Sequence, residues 1–147
     1  MRSAFQILAI PYQIIDGSLF YCVFHRADFN QWQFIAGGGE EGETPLEAAK
    51  RETFEESGAQ SDKWVELKSL SYIPAEVISE KHRKYWRKDT YVIPEYTFGF
   101  ECKDDIKLSR EHTEFVWLTY DETLKKLKWD SNRTALYELN CRLKVRQ

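Results

Sequence analysis

One stretch of the chain constrains its folding more than any other. Residues 37–58 hold seven acids (Glu40, Glu41, Glu43, Glu47, Glu52, Glu55, Glu56), two bases (Lys50, Arg51) and five of the seven glycines (Gly37, Gly38, Gly39, Gly42, Gly58). That window carries −5 in a chain of net −3, so the remaining residues sum to +2. Inside it, Thr44-Pro45-Leu46-Glu47 places an N-capping hydroxyl, a proline at the first helical position and a glutamate at the third. Together these form a capping box with a pre-organised first turn. Gly58 supplies a left-handed stop. The spacing therefore predicts a helix from Pro45 to about Ser57, with Leu46, Ala49 and Thr53 along a modest apolar stripe. A glycine loop over residues 37–42 is expected to precede it.

On such a helix Glu52, Glu55 and Glu56 fall at i, i+3 and i+4, which brings their Cβ atoms within roughly 5–6 Å of one another. Like charges at that separation repel, and a cation among them removes the cost. Hard divalent ions take oxygen ligands, including backbone carbonyls. Gly37-Gly38-Gly39 have no Cβ atoms and let the backbone approach a metal or a phosphate closely. Arg51 stands beside the acids and is placed to orient one of them through a bidentate pair. Three acids alone would suit a solvated surface helix equally well. The full pattern G-x5-E-x7-R-E-x2-E-E-x-G, carried by Gly37, Glu43, Arg51, Glu52, Glu55, Glu56 and Gly58, is harder to assign to chance.

The remainder of the chain supplies a β-rich frame. A long strand is expected over residues 4–15, followed by the turn Asp16-Gly17, a second strand over 19–25 and a short one over 31–35. Further strands are expected at 64–73, 91–102 (Tyr96, Phe98 and Phe100 on one face) and 114–119. Asp121 is read as the cap of a short helix reaching Lys128, and Asp130-Ser131-Asn132 as the cap of a last helix with Leu136, Leu139 and Leu143 on one face. Lys81–Lys88 reads as a basic, aromatic loop. Strands with one central and two terminal helices predict an α/β fold, a mixed sheet covered on both faces. The length of 147 residues, with 42% hydrophobic and 31% charged, suits one globular domain over 1–147. Mild net acidity argues against binding nucleic-acid polymers. No apolar run approaches the ~18 residues of a membrane span, and the N-terminus does not read as a signal peptide. Cys22, Cys102 and Cys141 are scattered, with no CxxC pair, so reduced thiols and a cytoplasmic setting are expected.

The spaced segment resembles the Nudix box, the signature of the Nudix hydrolases. Thr53 and Ala59 stand where that pattern has bulky aliphatic residues, at positions that serve packing. The resemblance implies a Nudix α/β/α sandwich. It implies Mg²⁺, with Mn²⁺ as an alternative, bound through Glu52, Glu55, Glu56 and a carbonyl near Gly37. It also implies hydrolysis of a nucleoside diphosphate linked to another group. DFNQWQFIAGGGEEGET (28–44), REHTEFVWL (110–118) and KWDSNRTALYEL (128–139) resemble more narrowly the dihydroneopterin triphosphate pyrophosphatases, a group also labelled dATP pyrophosphohydrolase.

In that group an acid six residues before the Trp of the last strand completes the metal site. This points to Glu111, with Glu114 as a competitor. The implied substrate is a nucleoside-triphosphate-like molecule, either dihydroneopterin triphosphate or a dNTP such as dATP, cleaved to monophosphate and pyrophosphate by a monomer or homodimer. Metal-held phosphate is attacked by water, with Glu52 and Glu111 both open as the base and Arg51 steadying charge. Arg26, Lys84 and Arg87 are expected near phosphate. His112 is read mainly as a solvated loop residue. Trp32, Phe34, Tyr85 and Trp86 are possible stacking rings, left unassigned. Two alternatives stand beside this reading: a dinucleoside polyphosphate hydrolase, and a nucleotide-binding module without catalysis. A calcium loop is disfavoured because the EF-hand pattern is absent.

Overall fold

The N-terminal strand carries apolar residues on both of its faces, and this organises the molecule. The computed structural model describes residues 1–146. Strand β1 (Arg2–Ile15) alternates Ile7 and Ala9 toward one side with Leu8 and Ile10 toward the other, all four buried. It turns through Asp16-Gly17 into β2 (Ser18–Arg26), and short β3 (Trp32–Gln33) and β4 (Ile35–Glu40) follow. Helix α1 (Pro45–Ser57) leads to β5 (Trp64–Pro74), a 3-10 turn, and the four-residue helix α2 (Glu80–Arg83). The chain ends with β6 (Val92–Glu101), β7 (His112–Leu118), α3 (Tyr120–Lys126) and α4 (Asp130–Arg146).

The seven strands form one mixed sheet in the order β3-β2-β1-β6-β5, with β4 also pairing β1 and β7 pairing β2. The β1–β6 pair is parallel and the other pairs are antiparallel. Leu8, Ile10, Tyr21, Val23 and Phe34 pack on one side against Leu127, Leu136, Leu139 and Leu143 from the C-terminal helical region. On the opposite side Ile7 and Phe98 pack against Ala48 and Ala49 of α1. Helices therefore cover both faces, as the α/β/α expectation required.

The C-terminal helix buries Leu136, Leu139 and Leu143 as its periodicity predicted. Glu138, on the same helix, accepts from the backbone N–H groups of Lys68 and Ser69, from the Ser69 hydroxyl and from Arg142. It thereby ties α4 to the irregular stretch of β5 between Glu66 and Leu70.

The structure departs from the sequence reading in several places. Gly37-Gly38-Gly39 lie in β4, paired with β1, and not in a loop. Their flanking residue Ile35 is buried and in register with Ala9, so the strand continues through them. The cap of α3 is Thr119, not Asp121, because Thr119 and Glu122 form a second capping box. The basic segment contains α2, which raises the number of α-helices to four among the described residues. Phe34 is wholly buried core.

Candidate active site

Helix α1 is fixed at both ends by the local chemistry of its sequence. Thr44 Oγ1 accepts from the Glu47 N–H (3.2 Å), and the Glu47 carboxylate accepts from the Thr44 N–H (2.8 Å). At the other end Gly58 adopts φ 73° and donates its N–H to Phe54 O, closing the helix in a conformation that disfavours a Cβ. With the helix so held, Ala48, Ala49, Thr53 and Glu56 turn inward, Glu52 is half-buried and Glu55 is exposed. Thr53 and Ala59, the two departures from the box pattern, are both buried, as packing positions should be.

Strand β4 runs alongside. A Cβ built on Gly37 would lie 2.6 Å from Glu52 Oε1 and nearer still to the rest of that carboxylate. Glycine at this position leaves the space that the Glu52 carboxylate occupies. Arg51 holds the rim of the cluster together. Its guanidinium donates to both Glu43 oxygens (2.8 and 3.0 Å), to Glu52 Oε1 (3.0 Å), to Glu55 Oε2 (3.2 Å) and to Gly38 O (2.8 Å). Hydrogen bonds from Arg51 hold the Glu43 carboxyl below the usual range, and the same bonds push the Arg51 pKa up. Arg51 is thus tied to two of the clustered acids while it remains inside the protein's own network.

The innermost acid is Glu56, 2% exposed, with neither carboxylate oxygen hydrogen-bonded. Across from it, at the entry to β7, stand Glu111 and His112. One ligand-type atom from each of Glu56, Glu111 and His112 lies within 4.8 Å of the others. The backbone N–H of Ala27 donates to Glu111 O (2.8 Å) and anchors this turn to the end of β2. Glu114, the competing candidate, is placed in β7 opposite His25 and outside that group.

His112 is buried, contrary to the expectation of a solvated loop side chain. Its ring lies 5.1 Å from that of Phe24, its nitrogens have no hydrogen-bond partner, and Nε2 is 3.9 Å from Glu56 Oε1. Burial, followed by the charge of Arg26, pushes its pKa down to about 4. Burial, then Glu52 and Glu111, holds the Glu56 carboxyl far above the carboxylate range. Burial and the Glu52 charge also raise Glu111. Desolvated carboxylates that mutually oppose ionisation, two of their oxygens unpartnered, form a donor set that fits a hard divalent cation.

A cleft of about 1260 Å³ opens beside this cluster, with Glu111 and His112 on its wall. Arg26 also lines it, paired through two hydrogen bonds to Asp28 (2.7 and 2.5 Å) and lying 4.7 Å above the Phe29 ring. The structure does not bring Lys84 or Arg87 to this cleft. Lys84 Nζ lies 5.1 Å above Tyr85, and Arg87 pairs with Asp89, while Trp86 donates to Arg2 O and packs that segment onto the N-terminus. The cations present instead are Arg110 and Lys128. The rings on the cleft are Phe29, Tyr72 and Trp129, in place of Trp32, Phe34, Tyr85 and Trp86. Arg110 adjoins Glu111, and Lys128-Trp129 open the last motif segment, so adjacency to the motifs was the available signal. Nothing local in the sequence marks Tyr72.

Comparison with known proteins agrees with this geometry. The family model described as the NUDIX domain matches residues 14–139. An RNA pyrophosphohydrolase from Caulobacter vibrioides is 34% identical over 120 residues, covering 74% of this chain and 67% of the relative. The asymmetrical bis(5'-nucleosyl)-tetraphosphatase of Sus scrofa is 30% identical over 116 residues, covering 74% and 69%. A Listeria monocytogenes structure assigned to the NUDIX hydrolases superposes with a TM-score of 0.86 at 42% identity, covering 98% of this chain and 97% of that one. The E. coli dihydroneopterin triphosphate pyrophosphohydrolase shares the fold, with a TM-score of 0.71 at 23% identity and coverage of 95% and 97%.

Proposed function

Because the chain belongs to the NUDIX hydrolase family, we propose that it is a Mg²⁺-dependent pyrophosphohydrolase of a nucleoside-triphosphate-like substrate, dihydroneopterin triphosphate or a dNTP such as dATP, releasing monophosphate and pyrophosphate. The observation that carries the reading is Glu56, buried with both oxygens unpartnered beside Glu111 and His112.

Glu52, Glu55, Glu56 and Glu111, with the Gly37 carbonyl, would hold the metal, for which Mn²⁺ is an alternative. Bound there, the ion supplies neutralisation of phosphate charge and a lowered pKa for water. The chain's own residues do the rest. Arg51 holds the Glu52 and Glu55 carboxylates in place through the contacts described above. Glu52 or Glu111 accepts the proton of the attacking water. Arg26 exchanges its exposed Asp28 partner for a phosphate oxygen, and Arg110 and Lys128 add positive charge along the cleft. Burial of Glu56 and His112 strengthens the interactions these two groups make with a bound cation.

A second reading, hydrolysis of a dinucleoside polyphosphate, is supported by the tetraphosphatase relatives. A module that binds nucleotide without cleaving it is disfavoured by the intact set Glu52, Glu55 and Glu56. The deciding experiment incubates the purified chain and Mg²⁺ with dNTPs, dihydroneopterin triphosphate and diadenosine polyphosphates, and assays pyrophosphate and monophosphate. Turnover is expected on the triphosphates, and Glu55→Gln is expected to lose most of it while remaining folded. Tight nucleotide binding with no turnover on any substrate would overturn the enzymatic reading.

A further inference from the structure

The hydrolysis described above leaves one buried acid of the cleft unused, and the inference from it rests on the pyrophosphohydrolase reading. Glu95 lies on β6, is 7% exposed and lines the cleft. It has no hydrogen-bond or ion-pair partner among the described residues, and burial alone pushes its pKa up to about 7. No group of the described residues meets its carboxyl, which faces the cleft and is open to a donor arriving there.

Its position follows from register. Gly38 on β4 pairs with Gln6 on β1, Gln6 with Glu95 on β6, and Glu95 with Ser71 on β5. Gln6, Ser71 and Glu95 all line the cleft and form a polar row across its floor. The Glu95 side chain shares the cleft with Glu111 and His112, and Glu111 in turn stands beside Glu56. One ligand in that cleft can therefore meet both Glu95 and the acid cluster's Glu111. The rim above this floor carries Phe29, Tyr72 and Trp129, each at least half exposed, which offer flat faces for stacking.

We propose that Glu95 is a specificity-determining residue that reads the substrate's ring, its carboxylate accepting the two adjacent N–H donors of a 2-amino-4-oxopyrimidine edge, as in guanine or a pterin. Donors that reach Glu95 favour its ionised form, which only accepts, through two parallel oxygens; the ring N–H beside the exocyclic amine of such an edge presents two parallel donors. Adenine presents one donor beside one acceptor, so its acceptor faces a lone pair on the ionised carboxylate. It is met only by the protonated acid, whose share falls as pH rises above about 7. Between the two triphosphate classes left open above, Glu95 favours the guanine-like and pterin-like members over dATP.

The test compares kcat/KM for dGTP, dihydroneopterin triphosphate and dATP in wild type and Glu95→Gln, and measures GMP binding by calorimetry. Glutamine replaces one acceptor by a donor, which opposes the guanine edge and suits that of adenine. The dGTP-to-dATP ratio of kcat/KM is expected to fall by roughly 10- to 100-fold, with a matching loss of GMP affinity and an unchanged or higher melting temperature. The preference of the wild type between dGTP and dihydroneopterin triphosphate then tells a purine from a pterin ligand. A wild type that prefers dATP, or a ratio and GMP affinity unmoved by Glu95→Gln, would overturn the proposal. If the wild type hydrolyses nothing but binds GMP in a Glu95-dependent way, the hydrolase reading fails and the ring-reading role stands. Should Glu95→Gln not fold, Glu95→Asp, which shortens the reach of the carboxylate, must lower the same ratio and the same affinity.

Discussion

Gly37→Ala isolates the part of the site that is held by the absence of a side chain. Gly37 sits in β4 with no left-handed backbone, so alanine meets no conformational penalty there. What it meets is Glu52. The new Cβ would lie 2.6 Å from Oε1 and closer to Cδ and Oε2, against an ordinary carbon–oxygen contact of roughly 3.3 Å. The carboxylate must retreat by roughly 1 Å, away from the position in which Arg51 holds it. A misplacement of that size in a reacting constellation costs about 100-fold, or about 2.7 kcal/mol of transition-state stabilisation. The stability cost is smaller. Overpacking of roughly 1–3 kcal/mol is partly offset by the roughly 0.4–1 kcal/mol that alanine gains by restricting the unfolded chain.

The assay is kcat/KM across a Mg²⁺ titration, corrected for folded fraction from a thermal melt. Because the backbone carbonyl of residue 37 survives the substitution, any loss reports displacement of Glu52 and not removal of that oxygen. Gly99→Ala is the control. Its Cβ would strike Leu139 at 2.6 Å, within the sheet–helix core, so it should lower the melting temperature while activity per folded molecule is kept. A Gly37→Ala protein with kcat/KM within threefold of wild type would refute the reasoning, since Glu52 would then act from a place other than the one the structure gives it.

Three further outcomes are expected. Arg51→Lys keeps the charge but not the fork that spans Glu43, Glu52 and Gly38 O, and steady-state kinetics should register a loss of roughly 10- to 100-fold in kcat/KM. Mg²⁺ at about 100 times its Kd should stabilise the wild type by about 2.7 kcal/mol in a thermal melt; Glu56→Gln should abolish that response while its metal-free form melts no lower than wild type, and an equal Mg²⁺ shift in the variant would remove Glu56 from the ligand set. Burial raises the Glu138 carboxyl, but bonds from Lys68, Ser69 and Arg142 outweigh it and hold the pKa down to about 2, so its contribution of about 3 kcal/mol is present above the unfolded value near ~4.3 and lost as pH falls through about 2; Glu138→Gln should flatten that limb of the stability–pH curve measured by denaturant melts.

The contrast between Glu56 and Glu95 explains what the sequence could reveal. Glu52, Glu55 and Glu56 share one helix whose ends are written locally in Thr44, Glu47 and Gly58, so their grouping follows from helical geometry without tertiary information. The helices and most strands were legible for the same reason; Glu111 was proposed only through the family resemblance, by its distance from Trp117, and the fold places it beside Glu56 and His112. The glycines were misread as a loop because their role is relational. Gly37 is defined by the Glu52 carboxylate that occupies its missing Cβ, and strand pairing with β1 overrides the low β propensity of three glycines. Lys84 and Arg87 were misplaced because charge composition says which residues are basic, not which way a segment docks; Trp86 anchoring on Arg2 O decides that. Glu95 lay beyond reach altogether. It sits in an apolar strand, and its burial depends on the register of β6 with β1 and β5, residues at least 20 positions away. A site built from one helix can be read from one stretch of sequence, whereas a ring-reading floor built across three strands becomes visible only when the sheet has been assembled.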